Sequence, residues 1–263
     1  MRKHPVTWFY ILAFGISWIG MVSVVLASRD IAPFYRTYFL VLSIFYAIGP
    51  ALAAVIVSQV AHGKKGVQNL LKGLIRWRVG LVWYIIAILG PVVLLIAAQA
   101  ITKLLGMPVT IAVPQVVLSP YIIFGVMVNF FAHTCEEIGW RGFALPRLQK
   151  RYNAFIATLI VGTLWAFWHL PTLFLVGNPM SEYPFIWLLI IVTNAFIYTW
   201  IYNSTKGSIL LVALFHGALN IWGAFIPGVS PVAYAFLNGA VAIILVGVFG
   251  KANLSRQKRV CVD

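Results

Sequence analysis

The feature that most constrains this chain is the recurrence, along its whole length, of nearly uninterrupted apolar runs. Each is about 20 residues long, enough for a helix to cross about 30 Å of hydrocarbon. Eight runs are visible, roughly Thr7–Ala27, Tyr38–Ala61, Leu81–Leu104, Tyr121–Leu145, Ala154–Val176, Phe185–Asn203, Ser208–Ile226 and Val232–Gly250. With 62% of 263 residues hydrophobic and 9% charged, a water-soluble fold of this length has nowhere to hide its apolar surface. A membrane barrel needs short segments alternating apolar and polar, and the runs do not alternate. Spanning helices, which satisfy their own backbone hydrogen bonds, are the remaining solution. The expected fold is all-α: a polytopic transmembrane bundle of about eight spans, read as one integral membrane domain over residues 1–263.

The formal charge of +14 invites a nucleic-acid reading, but its placement follows the membrane. With the N-terminus cytoplasmic, alternate connections put all but Arg29, Arg36 and Lys103 of the 19 Lys and Arg residues on the inside. That asymmetry predicts both termini in the cytoplasm and anionic lipid as the partner of the basic surface, with no nucleic acid. The first run exceeds the 7–15 apolar residues of a signal peptide and reads as a retained helix. Cys135 lies inside a span and Cys261 in the tail, so no disulfide is expected. Between the second and third runs Leu70, Leu71, Leu74, Ile75 and Trp77 alternate with Lys72, Arg76 and Arg78. The spacing fits a helix lying in the interface, or equally a basic loop that sets topology. Pro146 is expected to end the fourth span.

Charged groups inside a span cost several kcal/mol, roughly 2.5–3.5 each on insertion scales, so those present need a use. Glu136 and Glu137 are adjacent in the fourth run. Arg141 lies four residues after Glu137 and on nearly the same helix face, which predicts an ion pair. Glu136 points about 100° away around the helix and faces another neighbour. His169 follows Trp165 by one turn in the fifth run, and Asn220 follows His216 by one turn in the seventh. Counted at about 1.5 Å per residue from the cytoplasmic ends of their runs, Glu136, His169 and His216 come out at depths of about 14, 22 and 12 Å. That spread is wider than a site allows unless tilt, kinking at Pro171 or boundary shifts close it. Such a set can bind a metal, act as base and electrophile around a water, or relay protons. His133, one turn before Glu137, is a lesser candidate for the same site.

The pattern Glu-Glu-x-x-x-Arg, then an aromatic four residues before a histidine, then His-x-x-x-Asn, resembles the CPBP family of intramembrane proteases. These are also called the CAAX protease and bacteriocin-processing, or Abi, family. The resemblance covers about Tyr121–Ile226, the expected catalytic core, with Trp165 where the family usually has Phe. It implies a glutamate or metallo-endopeptidase that hydrolyses a peptide bond of a lipidated or membrane-associated protein or peptide, in a cavity open to the cytoplasm. Glu136, Glu137, Arg141, His169, His216 and Asn220 would be the catalytic residues, with Glu136 activating a water and His216 with Asn220 at the oxyanion. Glu136, His169 and His216 would be the ligands of a divalent metal such as zinc, if one takes part. A prokaryotic plasma membrane is the expected location. Two other readings stay open: a non-catalytic bacteriocin-immunity or scaffold protein on the same fold, and a proton-coupled transporter.

Overall fold

The computed structural model describes residues 1–34, 39–107 and 121–262. Arg36, Tyr38 and Asp263 lie outside them. Among the described residues the long elements are α1 (Pro5–Ser28), α2 (Phe39–Leu71), α3 (Leu81–Leu104), α4 (Tyr121–Glu137), α5 (Leu145–Arg151), α6 (Ala154–Trp168), α7 (Pro184–Ser204), α8 (Ile209–Phe225) and α9 (Pro231–Asn253). A π-helical stretch, Ile138–Ala144, joins α4 to α5. Each expected run corresponds to a helix, and six helical segments are long and apolar enough to cross a membrane. The exceptions are α8, with 17 residues, and α4, also 17 residues, whose C-terminal end carries Glu136 and Glu137. Large apolar side chains face outward along the bundle, among them Ile85 and Val93 on α3 and Ile243 and Val248 on α9. Soluble monomers rarely expose such continuous apolar surface, and lipid is the medium that covers it at no cost. The chain is a multi-pass helical membrane protein.

The helices run alternately up and down, and side-chain bonds tie the connections together at each end. At one end the Ile209 amide donates to Gly73 O (2.9 Å), the Ser208 hydroxyl to Arg76 O (2.8 Å) and Gln149 Nε2 to Val260 O (2.8 Å). At the other, Arg29 donates to Phe174 O (2.9 Å) and the Ser230 amide to Thr102 Oγ1 (3.0 Å). The first end carries the basic connections, while Arg29 and Lys103 lie at the second. Both ends of the described chain also sit at the basic end: Arg2 Nε donates to Val60 O, and the Val262 amide to Pro146 O.

Two local departures from regular helix shape the bundle. In α2, Gly63 adopts φ 62°, ψ −159°, a conformation essentially reserved for glycine. The spanning part ends there and a short basic helix follows as far as Leu71. Of the residues whose spacing fitted an interfacial helix only Leu70 and Leu71 are helical; Lys72, Leu74 and Ile75 lie in a turn and Arg76, Trp77 and Arg78 in irregular chain, as the alternative of a basic loop expects. The second departure corrects the expectation for Pro146. The fourth span does not end before it, because the wide turn of Ile138–Ala144 replaces the α-type bonds, with the Leu145 amide donating to Trp140 O. Pro146 then falls in the first turn of α5, where its missing N–H is tolerated. The fifth run, conversely, is α-helical only to Trp168 and continues through Pro171 as a 3₁₀ turn, Leu170–Phe174.

Small residues let helices close around the π stretch. A Cβ on Gly139 would lie 2.6 Å from Pro50 Cβ, and one on Gly142 would lie 2.6 Å from Ile209 Cδ1. The π stretch is thus pressed against α2 on one side and the start of α8 on the other.

Candidate active site

Residues from α4, the π stretch, α6 and α8 converge in the bundle interior. Glu136 and Glu137 are buried, as are Arg141 and His216. The expected ion pair forms: Arg141 Nη1 donates to Glu137 Oε1 at 3.0 Å, with both side chains fully buried. The guanidinium lies between two aromatic faces, 4.5 Å from the Trp165 ring centroid and 4.6 Å from that of Tyr198. Cation–π attraction is strongest where, as here, the cation has lost its water. Glu137 Oε1 also accepts from His216 Nδ1 at 2.9 Å. Glu136 turns the other way, as its position on the helix predicts, and its Oε2 accepts from Trp165 Nε1 at 2.8 Å. The aromatic residue of the second motif therefore touches the acid directly through an indole N–H that phenylalanine lacks.

Three histidines line up around these acids. His133 Nδ1 is 2.7 Å from Asn129 O and His169 Nδ1 is 2.9 Å from Trp165 O. A carbonyl oxygen only accepts, so these nitrogens carry the hydrogen and Nε2 remains the available ring nitrogen. His216 is fixed in the same sense by the Glu137 carboxylate. Its ring stacks edge-on against that of His133, centroids 4.0 Å apart. Asn220 Nδ2 donates to His216 O at 3.1 Å, one turn along α8.

A cavity of about 350 Å³ opens beside this cluster, walled by Trp165, His169, Asn194, Tyr198, His216, Asn220 and Tyr234 and otherwise apolar. Glu136 is not part of the wall and lies behind Trp165. The cavity runs between α7 and α8 to Met180, Val229 and Pro231. These belong to the end of the bundle opposite the basic one. With the basic end in the cytoplasm, the cavity reaches away from the cytoplasm, in contrast to the expected opening.

Among the described residues, the side chains grouped closely enough to share a metal ion are His133, Glu136 and His216, whose ligand atoms lie within 4.8 Å of one another. His169, expected in that set, is outside it. Its ring packs instead against Trp165 and Trp168, with centroids 5.7 and 4.7 Å away. The donor chemistry of the observed set fits zinc: two imidazoles and a carboxylate, with Glu137 on the far nitrogen of His216 as an orienting partner. Bonds of about 2.0–2.1 Å around a tetrahedral ion place donors roughly 3.3 Å apart, so the three side chains would have to draw together by up to about 1.5 Å.

The sequence singled out the acids, Arg141, His169, His216 and Asn220, and gave His133 a lesser place. It missed Tyr198, whose ring closes over Arg141 and lies 5.2 Å from that of His216. Its signal was slight: a tyrosine among Thr193, Asn194 and Thr199 on an otherwise apolar helix.

Residues 118–222, which hold all of these motifs, match the family model for type II CAAX prenyl endopeptidase, Rce1-like. A relative, CAAX prenyl protease 2 of Methanococcus maripaludis, is 35% identical over 97 residues, which make up 34% of this chain and 36% of that protein. The aligned part spans about a third of the curated relative it matches. Over residues 118–222, the stretch that carries the motifs, the chain is thus similar to the Rce1-like type II CAAX prenyl endopeptidases.

Proposed function

We propose that the protein is an intramembrane endopeptidase that hydrolyses a peptide bond near the C-terminus of a lipidated protein, or in a small membrane-associated peptide. The observation that carries this reading is the meeting of polar groups from α4, α6 and α8 in one buried cluster, whose Trp165, His169 and His216 reach the wall of a largely apolar cavity. Three separately expensive intrusions into the membrane become a single hydrogen-bonded unit there. The catalytic core is residues 121–226. Glu136 takes a proton from the attacking water and returns it to the leaving amine. Trp165 holds the carboxylate for that step, and Glu137, neutralised by Arg141, fixes the ring of His216. His169, His216 and Asn220 present the polar atoms of the cavity wall to the substrate carbonyl and the oxyanion that forms from it. A metal, if bound, is held by His133, Glu136 and His216 and supplies Lewis-acid polarisation and a more acidic water. The location we propose is a prokaryotic plasma membrane, with the basic end and both termini in the cytoplasm.

The test is mass spectrometry of candidate peptides, prenylated and unmodified, incubated with purified protein beside its Glu136→Gln and Glu136→Ala variants. The wild type is expected to yield discrete cleavage products and both variants none, with unchanged thermal unfolding. Products of equal yield from Glu136→Gln would remove Glu136 from the role of base, and no cleavage of any peptide by the wild type would favour a binding protein.

A further inference from the structure

A second cavity, of about 510 Å³, lies at the basic end of the bundle and shares no lining residue with the cavity of the active site. The short helix after Gly63 and the turn that follows form one wall and bring Lys65, Lys72 and Arg76 to it. The opposite wall is α5, with Arg147, and the C-terminal tail, with Val260. Gly142, Tyr202 and Ile209 complete its floor, one residue along the chain from Arg141 of the active site. No carboxylate of a described residue lines it. The described acids are elsewhere: Glu136 and Glu137 in the active site, Asp30 and Glu182 at the opposite end. A ligand-sized recess with Lys65, Lys72 and Arg76 on one wall attracts an anion.

Its rim shows which anion. Ile75, Trp77, Leu81 and Val82 are exposed beside Arg76 and Arg78, with 74% of Ile75 and 57% of Trp77 accessible. Exposed aliphatic and tryptophan side chains interleaved with arginine are what anchors a protein surface at the headgroup level of a bilayer. A phosphate entering the recess from that level still carries its acyl chains, and the apolar rim lies where they would run.

We propose that this recess binds the phosphate of an anionic phospholipid headgroup, with Lys65, Lys72 and Arg76 as its principal partners. The binding is independent of whether the protein is a protease. Native mass spectrometry of the detergent-purified full chain, titrated with phosphatidylglycerol, phosphatidylcholine or inorganic phosphate, tests it. Phosphatidylglycerol should bind at least tenfold more tightly than phosphatidylcholine. The Lys65→Gln/Arg76→Gln variant should bind it about thirtyfold more weakly, taking about a factor of five for each basic residue near an anionic surface. The Lys251→Gln/Lys258→Gln variant loses the same charge at the same end outside the recess and should bind like wild type. Equal affinity for the two lipids, or equal weakening in both variants, overturns the proposal. Displacement of phosphatidylglycerol by equimolar inorganic phosphate overturns the lipid as source and leaves a small-anion site.

Discussion

Arg141→Met is the most searching perturbation of the interior, because its cost separates a functional ion pair from passive glue. Methionine fills much of the arginine's space between Trp165 and Tyr198 and removes only the charge and the donors. Glu137 would then keep the hydrogen bond from His216 but lose its cation in a site from which water is excluded. Breaking a buried pair from one side costs about 3–5 kcal/mol, and loss of the two aromatic faces adds up to about 2. Glu137→Gln is the mirror case. Glutamine still accepts from His216 Nδ1, but a full positive charge is stranded at Arg141, at a similar cost of about 3–5 kcal/mol. The double variant strands neither charge. Its destabilisation should fall short of the sum of the singles by about 2 kcal/mol or more, the range seen for directly interacting residues. Chemical unfolding of all four proteins in one detergent, followed by tryptophan fluorescence, supplies the cycle. A coupling energy within about 0.5 kcal/mol of zero would refute the argument, since the two groups would then be acting independently.

Three further outcomes follow from the geometry. Trp165→Phe removes the N–H on Glu136 while keeping an aromatic ring over Arg141; turnover of a cleaved peptide should fall by about 10- to 100-fold, the worth of a hydrogen bond to a charged group, and unaltered turnover would deny Trp165 a positioning role. Elemental analysis distinguishes the donor sets: if zinc is present near stoichiometry, His133→Ala and His216→Ala should lose it and His169→Ala should keep it, whereas loss from His169→Ala alone restores the ligand set read from the motifs. Reporter fusions after Arg78 and Arg151 should both be cytoplasmic and one after Glu182 external; the reverse would invert the bundle and turn the mouth of the active-site cavity toward the cytoplasm.

The partners within the site were legible where helix periodicity alone decides them. A four-residue spacing put Arg141 on Glu137, and the 100° offset sent Glu136 to a different neighbour, which proved to be Trp165. Partners chosen by packing were not legible. Nothing in the spacing of His169 shows that its ring faces away from the acids between two tryptophans, nor that His133 lies against His216. Both depend on how far one helix slides along another, which apolar runs specify weakly when every face of a helix is apolar.

The mismatch in depth shows where that sliding is fixed. Counting from Pro146 put Glu136 about 8 Å nearer the cytoplasmic end than His169. The helix in fact continues to Arg151, and from there Glu136 is about 22 Å deep, level with His169 counted from Ala154. His216 meets them by a different route. The contact distances at Gly142 place Ile209 against the π stretch, so α8 begins inside the bundle, already at the level of Gly142. From there His216 and Glu137 climb about 10 and 8 Å, and arrive together. A side chain at residue 142 would meet the Cδ1 tips of Ile209 and Leu70, which would have to turn aside, so the glycine following Arg141 leaves room for α8 to seat close to the π stretch, at the level where Glu137 meets His216. The motif is therefore a packing device as well as a set of reactive groups: its glycines leave room for α2 and α8 at the level where its acids meet the histidine of another span.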